Sequence, residues 1–189
     1  MRVNIDEIKD RGIEREWDLS RETLDEAVRG DRAGYRAAGP AHVQARLEKT
    51  GRRVHLAART RAGLTAPCGR CLLPVQVQLP VEFELSLVPA EELQPHPDGE
   101  RRDRGEGGSE GSFTAGDVDE EPYRSKVIDL DPLVCEQVAL ALYPYPVCRE
   151  DCKGLCLVCG QNLNEKDCAC DRHVPDPRWA GLEKLKTRP

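Results

Sequence analysis

Hydrophobic and polar positions along this 189-residue chain fall into strand-like and helix-like stretches separated by glycine, proline and charge. From Ala41 the period is two. Val43, Ala45 and Leu47 alternate with polar neighbours, Thr50-Gly51 supplies a turn, and Val54, Leu56 and Ala58 alternate again. That pattern predicts a β-hairpin. A third, shorter strand is expected through Leu64 and Ala66 to Cys68. Beyond Cys71 the alternation is cleaner still: Val75, Val77, Leu79, Val81, Phe83, Leu85 and Leu87 share one parity. Their neighbours Gln76, Gln78, Glu82, Glu84 and Ser86 are polar, so this is one long half-buried strand or two in line, with Pro80 at an edge or bend. The expected object is an antiparallel sheet with one wet face.

Residues 1–40 are weakly patterned. Ser20 is placed to cap a short helix carrying Leu24, Ala27 and Val28 on one side, before Gly30, Gly34, Gly39 and Pro40 break it. Residues 41–90 form the sheet region. Residues 91–122 read as a disordered, acidic, glycine-rich insertion with too little apolar surface to offset the entropy of ordering. Residues 123–147 complete the core with a strand at Val127 and Ile128 and a helix. Asp131 and Pro132 are read as its N-cap and first-turn proline. Leu133, Val134, Val138, Ala139, Leu140, Ala141 and Leu142 predict a helix buried around most of its circumference, and Cys135 is a small core residue on it. Residues 148–189 hold a cysteine-rich segment and a short terminal helix, started by Asp176-Pro177, with Trp179, Leu182 and Leu185. The fold class is α+β: an antiparallel sheet packed on a buried helix, closed by a C-terminal zinc-knuckle segment and a terminal helix.

Composition narrows the function. With 39% hydrophobic and only 4% aromatic residues, the core is aliphatic and modest. No stretch approaches the roughly 20 apolar residues needed to span a bilayer, and the first residues lack the apolar run of a signal peptide. A cytoplasmic, reducing setting is expected, which favours metal binding over disulfides for nine cysteines. The net charge of −6 conceals a division: Glu91 to Glu121 carries −8, and the rest sums to +2. Within residues 41–80, seven basic residues (Arg46, Lys49, Arg52, Arg53, Arg59, Arg61 and Arg70) face the single acid Glu48. Such a stretch can meet phosphate or simply form a solvated sheet face.

The cysteines other than Cys135 come in pairs. Cys68 and Cys71 have two residues between them, Cys148 and Cys152 three, Cys156 and Cys159 two, and Cys168 and Cys170 one. A Cys-x-x-Cys turn lets two thiolates converge on one tetrahedral ion. The short excursion Gly160-Gln161-Asn162-Leu163-Asn164 lets the chain fold back, so Cys156, Cys159, Cys168 and Cys170 form a local four-thiolate site for Zn2+. Cys68, Cys71, Cys148 and Cys152 then make a second site, stapling the sheet to the segment after the helix across the insertion. Other partitions stay open, with Cys148 or Cys152 joining Cys156 and Cys159, so one or two ions are implied.

A thioredoxin-like reading of Cys68 and Cys71 fails because the pair sits between strands rather than at a helix N-terminus. The spacing Cys152, Cys156, Cys159 copies that of radical enzymes with a [4Fe–4S] cluster, but only 30 residues follow Cys159. No phosphate-binding glycine loop and no Gly-x-Ser-x-Gly occurs, and His173 is the only histidine near the cluster, with nothing to single it out. A non-enzyme with no small-molecule substrate and no membrane partner is expected.

Cys68-Gly-Arg-Cys71-Leu72, Asp129-Leu130-Asp131-Pro132-Leu133-Val134 and Tyr143-Pro144-Tyr145-Pro146-Val147-Cys148 occur in the order of the YceD family. The string from Cys152 through Lys153-Gly154-Leu155-Cys156 and Cys159-Gly160 to Asn162-Leu163-Asn164 resembles the cysteine-rich bacterial branch of that family, with Cys168, Cys170 and Asp176-Pro177-Arg178 after it. One departure is Leu157, where proline is usual. The resemblance implies a factor in accumulation of large-subunit (23S) ribosomal RNA, acting in processing or assembly of the large subunit. Its expected partners are large-subunit rRNA or a pre-ribosomal particle, met through Arg46, Arg52, Arg53, Arg59, Arg61 and Arg70, or a ribosomal or assembly protein. No aromatic residue lies within 41–80, so phosphate contacts are expected over base stacking. The rival readings are a zinc-stabilised protein-binding adaptor using Trp179, Leu182 and Leu185, and an iron–sulfur or redox protein.

Overall fold

The computed structural model describes residues 1–9, 11–92, 120–171 and 178. A six-stranded sheet forms the frame. It is built on β2 (Ile13–Leu19), β4 (Ala41–Thr50), β5 (Arg53–Pro67), β6 (Pro74–Pro89) and β7 (Glu120–Tyr123) in that spatial order, with β3 (Arg36–Ala37) paired to the far end of β5. A separate two-stranded ribbon pairs β1 (Arg2–Asn4) with β8 (Val127–Asp129). The helices are α1 (Arg21–Val28) and α2 (Leu130–Leu140).

The period-two stretches become strands because each has one face that must leave water. Val43, Leu47, Val54, Leu56, Leu64 and Leu79 are essentially inaccessible, while their sequence neighbours are partly or fully exposed. In β4 and β5, Val43 stands opposite Thr60, Ala45 opposite Ala58 and Leu47 opposite Leu56, so one parity lines the whole apolar face. A slip of one residue would turn that face outward, which pins the register. Thr60 is the one buried polar side chain among the described residues, and its hydroxyl donates to the His42 carbonyl at 2.8 Å.

Two structures cover the apolar face end to end. At one end α1 and α2 set Leu24, Val28, Val134 and Val138 against Val43, Ala62, Leu64, Leu79 and Val81. At the other, Val3, Ile5 and Ile8 from the N-terminal ribbon and the turn after it join Ile128 and Leu130 over Leu47, Val54, Leu56, Leu85 and Leu87. Tyr35 is fully buried beside α1, and its hydroxyl donates to the Tyr143 carbonyl at 3.0 Å, tying β3 to the chain leaving α2.

Several expectations are corrected. The third strand does not exist as a separate element, because β5 runs 15 residues without a break. The sheet is not wholly antiparallel: β7 lies parallel to β6 over Ser86–Pro89. Structure resumes at Glu120, inside the span expected to be disordered, and residues 93–119 lie outside the described residues. Residues 1–40 hold three strands besides the helix. β2 escaped notice because its inward set is Ile13, Arg15, Trp17 and Leu19, and Arg15 interrupts the apolar alternation while its guanidinium reaches Glu7 at 3.4 Å. The α2 N-cap is Asp129, whose side chain accepts from the Asp131 amide. Asp131 instead accepts the Trp17 indole at 2.7 Å and pairs with the Met1 ammonium. Finally, α2 is buried along the stripe Leu130, Val134 and Val138 only, and Leu140 is 72% exposed. A helix lying on a sheet with α1 on one flank hides one side, not its circumference. Ser20 does cap α1, accepting from the Thr23 amide at 3.1 Å. The terminal helix with Trp179, Leu182 and Leu185 falls outside the described residues. No described helix is long and apolar enough to cross a membrane.

Candidate metal centres

β5 and β6 pair along fourteen positions, ending at Pro67 opposite Pro74, and the tip of this long hairpin is Cys68-Gly69-Arg70-Cys71-Leu72. Its backbone closes by two hydrogen bonds. The Leu72 amide donates to the Cys68 carbonyl at 3.0 Å, and the Cys68 amide donates to the Leu73 carbonyl at 2.8 Å. Leu72 takes φ +62°, the sole described non-glycine residue with positive φ. The loop from Cys156 to Gln161 repeats this scheme position for position. The Gly160 amide donates to the Cys156 carbonyl at 2.8 Å, the Cys156 amide donates to the Gln161 carbonyl at 2.8 Å, and Gly160 has φ +73°. The two Cys-x-x-Cys turns are thus the same knuckle, with leucine in one and glycine in the other at the left-handed position. Amides that curl round a sulfur in this way stabilise its anion.

The thiols gather into two quartets: Cys68, Cys71, Cys148 and Cys152, and Cys156, Cys159, Cys168 and Cys170. Within each, all four sulfurs lie within 4.8 Å of one another. In the first, Cys71 and Cys148 sulfurs are 3.7 Å apart, and Cys68 and Cys152 sulfurs 4.0 Å. A metal–sulfur bond of about 2.3 Å puts the thiolates of a tetrahedron about 3.8 Å apart, so the spacing fits one ion. It is far too long for a disulfide at about 2 Å. It is also too compact for a cubane cluster, whose thiolates each bind a different iron. Mixed partitions joining Cys148 or Cys152 to Cys156 and Cys159 do not occur. Cys135 stays apart, half-buried against the core, with burial and then Asp131 pushing its thiol up.

Within each quartet the thiols are pushed in opposite directions. Burial opposes ionisation of Cys68, but backbone N–H groups of Cys71, Arg70 and Cys148 outweigh it and bring the thiol down to about 6. The Cys159 and Val158 amides do the same for Cys156, again to about 6. Within the same quartets Cys148 is pushed up to about 12, by burial and then by Cys152, Cys71 and Cys68. Cys170 is likewise pushed up to about 12, by Cys159 first and then burial and Cys168. A dication seated among the four sulfurs would favour the ionised form of each of them.

The first quartet is held from both sides. Val75, Val147 and Leu155 pack around its buried cysteines. The Arg70 side chain donates to the Glu150 and Cys152 carbonyls at 2.8 and 3.0 Å, and the Arg70 carbonyl accepts from the Leu155 amide at 3.0 Å. Gly154, with φ +75°, presses on this joint: a Cβ there would lie 3.0 Å from the Arg70 oxygen. Only glycine fits.

Arg46, Arg53, Arg59 and Arg61 share the solvent face of the sheet, but carboxylates are interleaved with them. On the polar sheet face Arg46 pairs with Glu48 and Glu14, and Arg59 donates to Gln44 and stands opposite Glu82. These side chains border a depression of about 590 Å³ rimmed by Glu14, Glu16, Glu82 and Glu84. Arg52 pairs with Glu91 and Glu92 and Arg53 with Glu120, near the hairpin turn. Arg61 is exposed opposite Pro80. Arg70 lies at the first cysteine quartet. Linear counting misses this because strands far apart in sequence bring their acids alongside. It also passed over Asn164, Arg70 as a brace and Leu72, although setting Leu72 beside Gly160 would have flagged the last.

A family model described as large ribosomal RNA subunit accumulation protein YceD matches residues 56–186. The chain is 35% identical over 65 residues to the large ribosomal RNA subunit accumulation protein YCED homolog 1, chloroplastic, of Arabidopsis thaliana, covering 34% of this chain and 20% of that protein. It is 30% identical over 170 residues to the protein of the same name in Zea mays, covering 82% and 56%. It is 31% identical over 140 residues to an uncharacterised protein of Mycobacterium tuberculosis, covering 74% and 59%. The chain therefore spans less than two thirds of the length of these relatives. No solved structure matches it.

Proposed function

The chain belongs to the YceD family, and we propose that it is a non-enzymatic factor promoting 23S rRNA accumulation, its scaffold closed by two zinc ions. The family match over residues 56–186 carries the reading, since it takes in the hairpin tip, α2 and both cysteine quartets. Zinc is favoured by four-thiolate sets at single-ion spacing, the donor set of closed structural sites. When bound, each ion supplies charge and cross-linking, and the knuckle amides and the Arg70 brace orient the ligands. A cytoplasmic setting, which keeps thiols reduced, suits this chemistry.

In this reading the partner is the large-subunit rRNA or its precursor particle, approached through Arg46, Arg52, Arg53, Arg59 and Arg61, with Arg70 holding the knuckle. Their carboxylate partners do not forbid it, because exposed ion pairs are worth about 0–1 kcal/mol each and exchange readily for phosphate. The test is depletion of the protein in its own host, with the ratio of large- to small-subunit rRNA as readout. Loss of large-subunit rRNA, restored by wild type but not by a Cys68→Ser, Cys156→Ser variant, is expected. An unchanged ratio overturns the proposal.

A second reading is favoured by one observation. Around the two knuckles Leu72, Tyr145, Leu157 and Val158 are 64%, 82%, 98% and 56% exposed. Apolar tips on a metal-stiffened loop suit a protein-binding adaptor. Crosslinking in cells separates the two: contacts chiefly to rRNA support the first, contacts chiefly to a ribosomal or assembly protein the second.

A further inference from the structure

The two quartets differ in how far apart their ligands lie in sequence. Cys156 to Cys170 is a local loop, whereas Cys71 and Cys148 are 77 positions apart. Closing the second kind costs more chain entropy, so the local site forms first on an unfolded or partly folded chain. Between them lies one side chain that belongs to the local loop and touches the distant site. Asn164 sits in the excursion from Cys159 to Cys168, and its Nδ2 donates to the Cys152 sulfur at 3.3 Å. Its Oδ1 accepts the Lys153 amide at 2.8 Å and the Arg149 guanidinium at 2.9 Å. Every polar atom of this carboxamide is therefore spent on the turn that presents Cys152, or on Asn162, whose Oδ1 accepts both the Asn164 amide at 3.1 Å and Nδ2 at 2.9 Å. The loop is itself seated on the same turn by the Leu163 amide, which donates to the Gly154 carbonyl at 2.9 Å.

We infer that Asn164 couples the two metal centres: an ion bound by Cys156, Cys159, Cys168 and Cys170 fixes the loop that places Asn164. Asn164 then holds the 149–153 turn and the Cys152 thiolate for the ion bound by Cys68, Cys71, Cys148 and Cys152. This rests on the proposal that both quartets bind metal. Metal loading is then ordered and cooperative. The long-range site tightens when the local one is full, and by linkage the local site tightens by the same factor when the long-range one is full. Asn164 is a positioning residue that orients a ligand without touching the ion, and removal of such partners costs about 10- to 100-fold in metal affinity.

The experiment uses the full chain, reduced and stripped, titrated with zinc against a competing chelator while native mass spectrometry counts ions. Wild type should take two ions; fewer would overturn the two-ion reading itself, independently of the coupling. Given two, Asn164→Ala should weaken the Cys68 site about 10- to 100-fold. Disabling the local site with Cys156→Ser and Cys159→Ser should weaken it to a similar degree. Combining the changes should be no worse than either alone, because they remove the same link. An unchanged Cys68 site in both variants, or losses that simply add, overturns the coupling. Cobalt in place of zinc reports the contact directly. Loss of the hydrogen bond to the Cys152 sulfur should move the thiolate-to-cobalt charge-transfer band to lower energy in Asn164→Ala, and at least as far in Asn164→Asp, which keeps the acceptor, loses the donor and sets a carboxylate beside the sulfur. A band that stays in place in both variants refutes a role at the thiolate.

Discussion

Gly154→Ala offers a sharp test of how the hairpin tip is joined to the cysteine-rich segment. Gly154 and Gly160 have nearly the same backbone, φ +75° and +73°, but different surroundings. An added Cβ meets nothing within 4 Å at Gly160, whereas at Gly154 it meets the Arg70 oxygen at 3.0 Å and the Arg70 Cβ at 3.4 Å. At both positions alanine bears about 1–2 kcal/mol of left-handed strain, offset by about 0.5–1 kcal/mol because the unfolded chain loses glycine's freedom. The open site should therefore lose about 0.5–1 kcal/mol. At Gly154 the Arg70 carbonyl must also move, which weakens its bond from the Leu155 amide and adds about 1 kcal/mol. The expected loss for Gly154→Ala is about 2 kcal/mol, at least twice that for Gly160→Ala. Urea unfolding followed by circular dichroism in excess zinc measures both. Equal losses would mean that the Arg70 joint yields freely and is not what clamps the tip.

Three further outcomes are expected. Tyr35→Phe leaves the Tyr143 carbonyl without its donor and should cost about 1 kcal/mol by urea unfolding. Burial, then Asp31, holds the Tyr35 phenol above its ordinary 10.0, so its stabilisation is complete below pH 10 and is lost as pH rises through the folded value; in the phenylalanine variant this alkaline loss should shrink. Metal uptake by the stripped protein near neutral pH should release protons into weak buffer, because Cys148 and Cys170 stay protonated up to about 12 without an ion; acidification to about pH 5 should reverse loading. Leu24→Ala, at a fully buried α1 position against the sheet, should cost about 2–5 kcal/mol by the same unfolding assay, without changing the number of ions bound.

Sequence alone determined what depends on near neighbours. Period-two burial in β4, β5 and β6, the Ser20 cap and the pairing of thiols across Cys-x-x-Cys turns are decided within a few residues by the pleat, the helix terminus and the reach of a side chain. The YceD resemblance rested on strings of the same local kind, and the family match bears it out. Tertiary structure decided what depends on which distant segments meet. It made β7 parallel to β6, put Arg15 on the inward face of β2, and moved the α2 cap to Asp129. It also set acids from neighbouring strands beside the arginines of residues 41–80. Charge counted along the chain overstates a basic face whenever the sheet interleaves it with carboxylates. The same holds at the metal centres. The pairs were visible in the spacing, but which pairs meet in one quartet, and that Asn164 of one loop touches Cys152 of the other quartet, follow from the fold bringing the hairpin tip against the turn after α2. That contact spans strands, helix and loop, and no local rule encodes it.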